Sequence, residues 1–202
     1  MEYLVTMTTH VPDGTSGAAV EDIRAREVAH SLELAREGHL LRLWRPPVQP
    51  GEWRTLGLFA AADRAGLESV LVSMPLRVWR TDEVADLSPH PNDPGGQTEE
   101  RASAGGGEFL TSSTITVPPE SSSAVAAAAR AEEADRTREL AAQGKLRRLW
   151  ALSGEDRTLG LWRAGDAEEM EAILDSLPLR KWSDVETTKL APHPSDPGST
   201  PR

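Results

Sequence analysis

Apolar positions along the first half of the chain change period several times, and each change predicts a new secondary-structure element. The opening residues are rich in β-branched and aromatic side chains and end at a Pro-Asp-Gly sequence, which is typical of a strand followed by a turn. A long stretch of helix formers then stops at Gly38, a common helix C-terminus. The predicted elements are strand Tyr3–Val11, helix 17–37, strand Leu40–Trp44, strand Trp53–Ala60, helix 63–74 and strand Leu76–Leu87.

The second half of the chain repeats the first. Residues 2–44 and 108–150 share 18 identities in 43 positions, and residues 51–95 and 154–198 share 24 identities in 45. Such self-similarity is the signature of a duplicated structural unit. The repeat divides the chain into module 1 (residues 1–91), a linker (92–107) rich in Pro, Gly, Ser and acidic residues, and module 2 (108–198).

Each module therefore has the order strand, helix, strand, strand, helix, strand, which is the ferredoxin-like βαββαβ arrangement of the α+β class. In this arrangement the helices cover one face of the sheet and leave the other face bare. An apolar sheet face needs a partner layer. We therefore expect the two modules to pack sheet against sheet within one chain as a dimeric α+β barrel.

The composition narrows the possible functions. A net charge of −10 and the lack of a basic stripe argue against nucleic acid and anionic membranes as partners. No apolar run is long enough to cross a membrane, the N-terminus lacks the features of a secretory signal, and there is no cysteine. These features favour a cytoplasmic protein. Five histidines without ligand spacing give no metal site, and we expect no cofactor.

A candidate acid–base group lies on the first helix. Spacing places Glu27 on the apolar face of that helix between Ile23 and Leu34, with His30 one turn further along. Burial disfavours the charged carboxylate, so the pKa of Glu27 should rise towards the range of a general base, and His30 could share its proton. The alternative is a structural acid at the helix edge that pairs with Arg24 or Arg45.

The second module keeps the acid as Glu133 but has Arg136 where the first has His30. A neighbouring arginine should lower the pKa of Glu133 and pair with it, so we expect Glu27 to be the base and Glu133 the more silent site. Tryptophans recur at matched positions, such as Trp44 and Trp150, which indicates core packing or a pocket wall. The histidines of the two Pro-His-Pro sequences are interpreted as turn residues.

Several segments together resemble the muconolactone delta-isomerase family. Residues 25–34 are similar to the first-helix pattern of that family, and Gly38 precedes a strand that ends in Leu-Trp-Arg at residues 43–45. A Pro-Leu turn follows at residues 75–76 and again at 178–179, and the last strand of module 1 leads to His-Pro at residues 90–91. The resemblance covers nearly all of both modules.

The resemblance implies an isomerase without cofactor or metal, which moves a proton next to the carbonyl of an unsaturated lactone and shifts a double bond. It implies the helix glutamates as bases, a lactone or unsaturated acid as substrate, and a homo-oligomer. Two alternatives stay open, a biosynthetic cyclase or dehydratase on the same fold and a non-catalytic small-molecule-binding protein. The candidate catalytic residues are Glu27, His30 and Glu133, and the candidate substrate-binding residues are Trp44, Arg45, Thr55, Trp79, Arg136 and Trp150.

Overall fold

A computed structural model describes residues 1–95, 106–153 and 156–199 as two compact units. Unit 1 comprises Met1–Leu87 and Ala191–Arg202, and unit 2 comprises Ser88–Leu190. Each unit thus contains the body of one sequence repeat and the C-terminal segment of the other repeat. The predicted module boundaries follow the sequence repeat, and residues 96–105 of the predicted linker lie outside the described residues.

The elements of unit 1 follow the predicted order. Asp63 caps the second helix, because its side chain accepts a hydrogen bond from the Gly66 N–H. One prediction was wrong, since residues 76–79 form a 3₁₀ turn instead of a strand. Pro75 has a fixed φ and no N–H, so it begins a helical turn more readily than it continues a strand. The elements are β1 (Glu2–Thr9), α1 (Gly17–Arg36), β2 (Leu40–Arg45), β3 (Trp53–Ala60), α2 (Arg64–Ser73), a 3₁₀ turn (Pro75–Trp79) and β4 (Arg80–Pro89).

Unit 2 repeats this order. Gly107, which the sequence assigned to the linker, is the first residue of its first strand. The fold is therefore α+β, with eight antiparallel strands among the described residues. The elements are β5 (Gly107–Ile115), α3 (Ser123–Ala142), β6 (Leu146–Ala151), β7 (Arg157–Ala164), α4 (Ala167–Asp175), a 3₁₀ turn (Arg180–Trp182) and β8 (Ser183–Pro192).

The first strand of each repeat lies at the centre of its sheet. In unit 1, β1 pairs with β3 and β4, and β2 pairs with the other edge of β3. In unit 2, β5 pairs with β7 and β8, and β6 pairs with β7. The end of the other repeat then extends each sheet, because Pro192 pairs with Trp44 in unit 1 and Pro89 pairs with Trp150 in unit 2.

The core of each unit lies between the helices and one face of the sheet. Alternate residues of β1, including Tyr3 and Val5, pack against apolar residues of α1 and α2 such as Leu34 and Leu71, as the period of two in a strand requires. Unit 2 has an equivalent core around Phe109. The sheet-against-sheet packing of the two modules stays a prediction. Among the described residues no helix is long and apolar enough to cross a membrane.

Candidate functional site

Each unit contains a cavity between its first helix and the sheet. The cavity of unit 1 has a volume of about 260 Å³, and the cavity of unit 2 has a volume of about 450 Å³. Glu27 lines the first, and Glu133 lines the second. The two carboxylates that the sequence predicted as bases therefore occupy equivalent positions in two separate cavities.

Glu27 is held by a backbone donor. Its Oε2 accepts a 2.8 Å hydrogen bond from the N–H of Leu76. Because Pro75 begins the 3₁₀ turn and has no N–H, Leu76 supplies the first free backbone donor of that turn. Burial raises the pKa of Glu27, and this effect outweighs the Leu76 N–H and the Arg80 charge, which both lower it. The prediction that burial raises this pKa is confirmed.

The charged partner of Glu27 is Arg80, which the sequence analysis missed. Arg80 Nη1 lies 3.4 Å from Glu27 Oε1, and Arg80 Nε lies 2.6 Å from Asp82 Oδ1. The side chains of Arg80 and Asp82 are only 2% and 4% exposed, and Arg77 is a further partner of Asp82 at 3.3 Å. Arg80 and Asp82 are two apart on β4 and so share one face of the strand. The sequence did contain a signal for this pair, because opposite charges stand at alternate positions of the strand.

Glu133 has a simpler environment. Its Oε2 accepts a 2.9 Å hydrogen bond from the N–H of Leu179, and burial raises its pKa against this bond. The repeat places Ser183 and Val185 where unit 1 has Arg80 and Asp82. Within the described residues, no cation lies within ion-pair distance of Glu133. Its carboxylate is therefore desolvated without a compensating charge.

The prediction that Arg136 pairs with Glu133 and lowers its pKa was wrong. Arg136 Nη1 pairs with Glu139 at 2.8 Å, and its Nε donates a 3.0 Å hydrogen bond to Ser176. His30 makes the same two contacts in unit 1, with Glu33 at 3.1 Å and with Ser73 at 2.8 Å. Both residues thus tie the first helix of their unit to the end of the second helix, and neither lines a cavity.

A histidine from the other repeat completes each cavity. His193 lines the cavity of unit 1, and His90 lines the cavity of unit 2. A backbone N–H donates a 3.1 Å hydrogen bond to Nδ1 of each ring, from Ser195 to His193 and from Asn92 to His90. Nδ1 must therefore be unprotonated, which leaves the proton on Nε2. Burial lowers the pKa of both histidines, which favours this neutral form.

Buried aspartates hold these histidine segments in place. In unit 1, Asp196 accepts hydrogen bonds from the Arg42 guanidinium at 3.0–3.2 Å and from the Leu43 N–H at 2.8 Å. Its side chain is 0% exposed. In unit 2, Asp93 makes the corresponding contacts with Arg148 and with the Leu149 N–H. The sequence assigned both histidines only to turns, because their destination depends on tertiary structure.

The predicted substrate-binding residues divide into two groups. Arg45 and Thr55 line the cavity of unit 1 with Glu27. The other four do not line either cavity. Leu43 faces the cavity, and the next residue of a strand points to the opposite face. The residues outside the cavities are Trp44, Trp79, Arg136 and Trp150.

Among the described residues no group of three or more His, Asp or Glu side chains could hold a metal ion. Each cavity instead combines a partly desolvated carboxylate, a backbone donor and a neutral imidazole. A carboxylic acid with a raised pKa in a cavity is typical of enzymes that move protons. The fold and the two cavities thus define a class of small α+β proteins suited to acid–base chemistry.

Comparison with known proteins gives the family. The sequence model described as muconolactone delta-isomerase matches residues 1–93 and 108–196, so the chain belongs to this family. Muconolactone Delta-isomerase of Cupriavidus pinatubonensis (strain JMP 134 / LMG 1197) is 32% identical over 92 residues, which cover 46% of this chain and 97% of that protein. Muconolactone Delta-isomerase 1 of Acinetobacter lwoffii is 30% identical over 92 residues, with 46% and 93% coverage. Family membership indicates an isomerase.

Solved structures that resemble the whole chain show the fold alone. Chlorite dismutase from Candidatus Nitrospira defluvii in complex with imidazole has a TM-score of 0.59 at 10% identity, over 95% of this chain and 91% of that chain. A heme-binding protein from Thermus thermophilus has a TM-score of 0.57 at 12% identity, over 94% and 92%. At this identity the likeness does not extend to activity.

Proposed function

We propose that the protein shifts a double bond in an unsaturated lactone by proton transfer through the helix glutamates, Glu133 in unit 2 and Glu27 in unit 1. The observation that carries this proposal is the environment shared by the two carboxylates. Each is partly desolvated, has a raised pKa, and is held by one backbone N–H in a cavity. A base of this kind is matched to proton transfer near neutral pH.

The reaction needs no oxidant or second substrate. The carboxylate removes a proton from the carbon alpha or gamma to the lactone carbonyl, and the C–H electron pair moves into a dienolate with its charge on the carbonyl oxygen. The resulting carboxylic acid returns the proton to the other carbon, which shifts the double bond. The backbone N–H bonds to Oε2 of each glutamate, which leaves Oε1 to take the proton. Oε1 of Glu27 also accepts a 3.4 Å hydrogen bond from Arg80.

The cavity histidines suit the developing negative charge. A neutral imidazole with its proton on Nε2 can donate a hydrogen bond to the dienolate oxygen, and preorganised donors of this type commonly supply the largest stabilisation of such states. The segments that carry His90 and His193 are fixed by buried aspartates, so each ring is held before the substrate binds. We assign these histidines to carbonyl polarisation.

Glu133 is the stronger candidate of the two bases. Arg80 lies 3.4 Å from Glu27 Oε1 and favours the ionised carboxylate, which makes it a weaker base. Glu133 lacks this cation among the described residues, and burial is the leading cause of its raised pKa. For a substrate that both cavities accept, we therefore expect the faster proton transfer in unit 2, the reverse of the order predicted from the sequence.

The test is turnover of unsaturated lactones, with a carboxylate (muconolactone) and without one, by Glu133→Gln and Glu27→Gln proteins. Glutamine keeps the side-chain volume and removes the proton acceptor. Glu133→Gln should lower turnover by about 10²–10⁴ in the unit 2 site, the usual contribution of a positioned base. Glu132→Gln, an exposed neighbour on α3, is the matched control and should leave turnover unchanged. Undiminished turnover in a folded protein carrying both cavity substitutions would refute the proposal.

A further inference from the structure

The two cavities of this chain differ at most of their matched lining positions. The repeat pairs Met7 of unit 1 with Ser113 of unit 2, and Arg45 with Ala151. In the same way, Arg80 corresponds to Ser183. Each of these exchanges places the smaller side chain in unit 2, and the two arginine exchanges also remove a charge. Both cavities keep the glutamate, so the differences concern what surrounds the base.

The cationic rim differs between the units. In unit 1, the Arg24 guanidinium lies 4.3 Å from the centre of the Trp53 ring, and Arg45 lines the same cavity. Within the described residues, neither of these exposed arginines forms an ion pair. Both charges are therefore available to a bound anion.

In unit 2 the same positions carry no free charge. Asp156 replaces the tryptophan and pairs with Arg130, the counterpart of Arg24, at 2.9 Å. Ala151 replaces the second arginine. Arg180 is paired with Glu171 at 2.8 Å. Arg157 donates a 3.3 Å hydrogen bond to the Ser153 carbonyl and is, among the described residues, the one arginine lining this cavity without an ion pair, against two in unit 1. The unit 2 cavity therefore has less capacity to bind a carboxylate.

The volumes of the two cavities agree with the smaller side chains of unit 2. Replacing a methionine and two arginines by two serines and an alanine leaves more space, and the cavity is about 450 Å³ in unit 2 against about 260 Å³ in unit 1. Only the larger value lies within the usual range of roughly 300–1,000 Å³ for small-molecule pockets. A cavity of the smaller volume suits a ligand of a few heavy atoms beyond a single ring.

We propose that the two units of one chain bind different ligands. Unit 1 binds a small lactone that bears a carboxylate, held by Arg24 and Arg45, and unit 2 binds a bulkier lactone without that carboxylate. Arginine–carboxylate contacts are charge-assisted and strong, whereas the wider cavity gains from apolar contact. This inference rests on the proposed function for its lactone chemistry, but it concerns binding and not the proton transfer.

Calorimetric titration with two probes tests the proposal. The first is a five-membered unsaturated lactone with a carboxymethyl group, and the second is a phenyl-substituted unsaturated lactone without a carboxylate. Each probe should occupy one site per chain. Arg45→Ala should weaken binding of the first probe by about tenfold or more and leave the second unchanged. Ser113→Met, which installs the unit 1 residue, should weaken only the second.

Two further variants complete the design. Ala151→Arg should give unit 2 a measurable affinity for the carboxylated probe, and Arg26→Ala is the matched control because Arg26 is exposed and pairs with Asp22 on α1. Three results would overturn the inference. Either probe could bind both sites with equal affinity, Arg45→Ala could affect both probes equally, or no binding could be detected at millimolar concentration. Failure of the proposed function is distinct, because it appears as turnover that survives both glutamate substitutions.

Discussion

The buried charge cluster of unit 1 gives the sharpest stability prediction. Arg80 lies between Glu27 and Asp82, and the side chains of Arg80 and Asp82 are almost fully buried. Changing Arg80→Ser installs the residue that unit 2 has at this position and leaves Asp82 with one partner. Changing Arg80→Ser and Asp82→Val together installs both unit 2 residues and removes both charges.

The two changes should have very different magnitudes. Removing one member of a buried ion pair costs about 3–5 kcal/mol, because the other charge is left uncompensated. Arg77 remains 3.3 Å from Asp82, so for Arg80→Ser we expect a loss near the lower limit, about 3 kcal/mol. Removing both charges often has little net effect, so the double variant should lie within about 1 kcal/mol of the natural protein. The single change should therefore lower the free energy of unfolding more than the double change does.

Urea unfolding followed by circular dichroism measures this difference. Arg26→Ser serves as the control, because its partner Asp22 is exposed and surface ion pairs contribute little. The double variant should also raise the pKa of Glu27, since Arg80 lowers it in the natural protein. An equal loss in the single and double variants would refute the reasoning, because it would show that shape and not charge determines the cost.

Other predictions follow from the same contacts. Turnover should fall as the pH drops through the raised pKa of Glu133, because only the ionised carboxylate is a base. Burial makes Glu133 bind a proton more tightly in the folded state than in the unfolded state, so the stability that the protonated group contributes is lost as the pH rises through the folded pKa. Glu133→Gln should therefore raise the free energy of unfolding at a pH above that pKa. Asp196→Ala should lower turnover in unit 1 by mispositioning His193, with a larger effect on kcat than on KM, while Asp196→Asn should retain part of it. Chelators should leave turnover unchanged, and metal-dependent loss and recovery would contradict this.

Element order was predictable because the helix and strand periods are strong in each repeat. The 3₁₀ turn was missed because the last strand was predicted to begin at Leu76, directly after Pro75, although a proline also begins helical turns. The strand face of Trp44 was not predictable, since one residue of register decides which face a side chain takes. Its neighbour Leu43 faces the cavity instead.

The site was predictable only where a single element defines it. Helical spacing alone placed Glu27 and Glu133 on a buried face, and the structure places both in cavities. Arg80 contacts Glu27 across 53 positions of sequence, and His193 joins a cavity formed by the other repeat. Contacts of this kind depend on how the strands are arranged, which spacing along one helix does not reveal.

Proton transfer itself can be observed by carrying out the reaction in D₂O and following an unsaturated lactone by proton NMR. The natural protein should exchange the proton alpha or gamma to the carbonyl and form the isomer with deuterium at the reprotonated carbon. A folded Glu27→Gln/Glu133→Gln protein should neither exchange that proton nor form the isomer, while the Glu132→Gln control should behave as the natural protein does. Exchange and isomerisation at the natural rate in the double variant would contradict the central claim that these two glutamates move the proton.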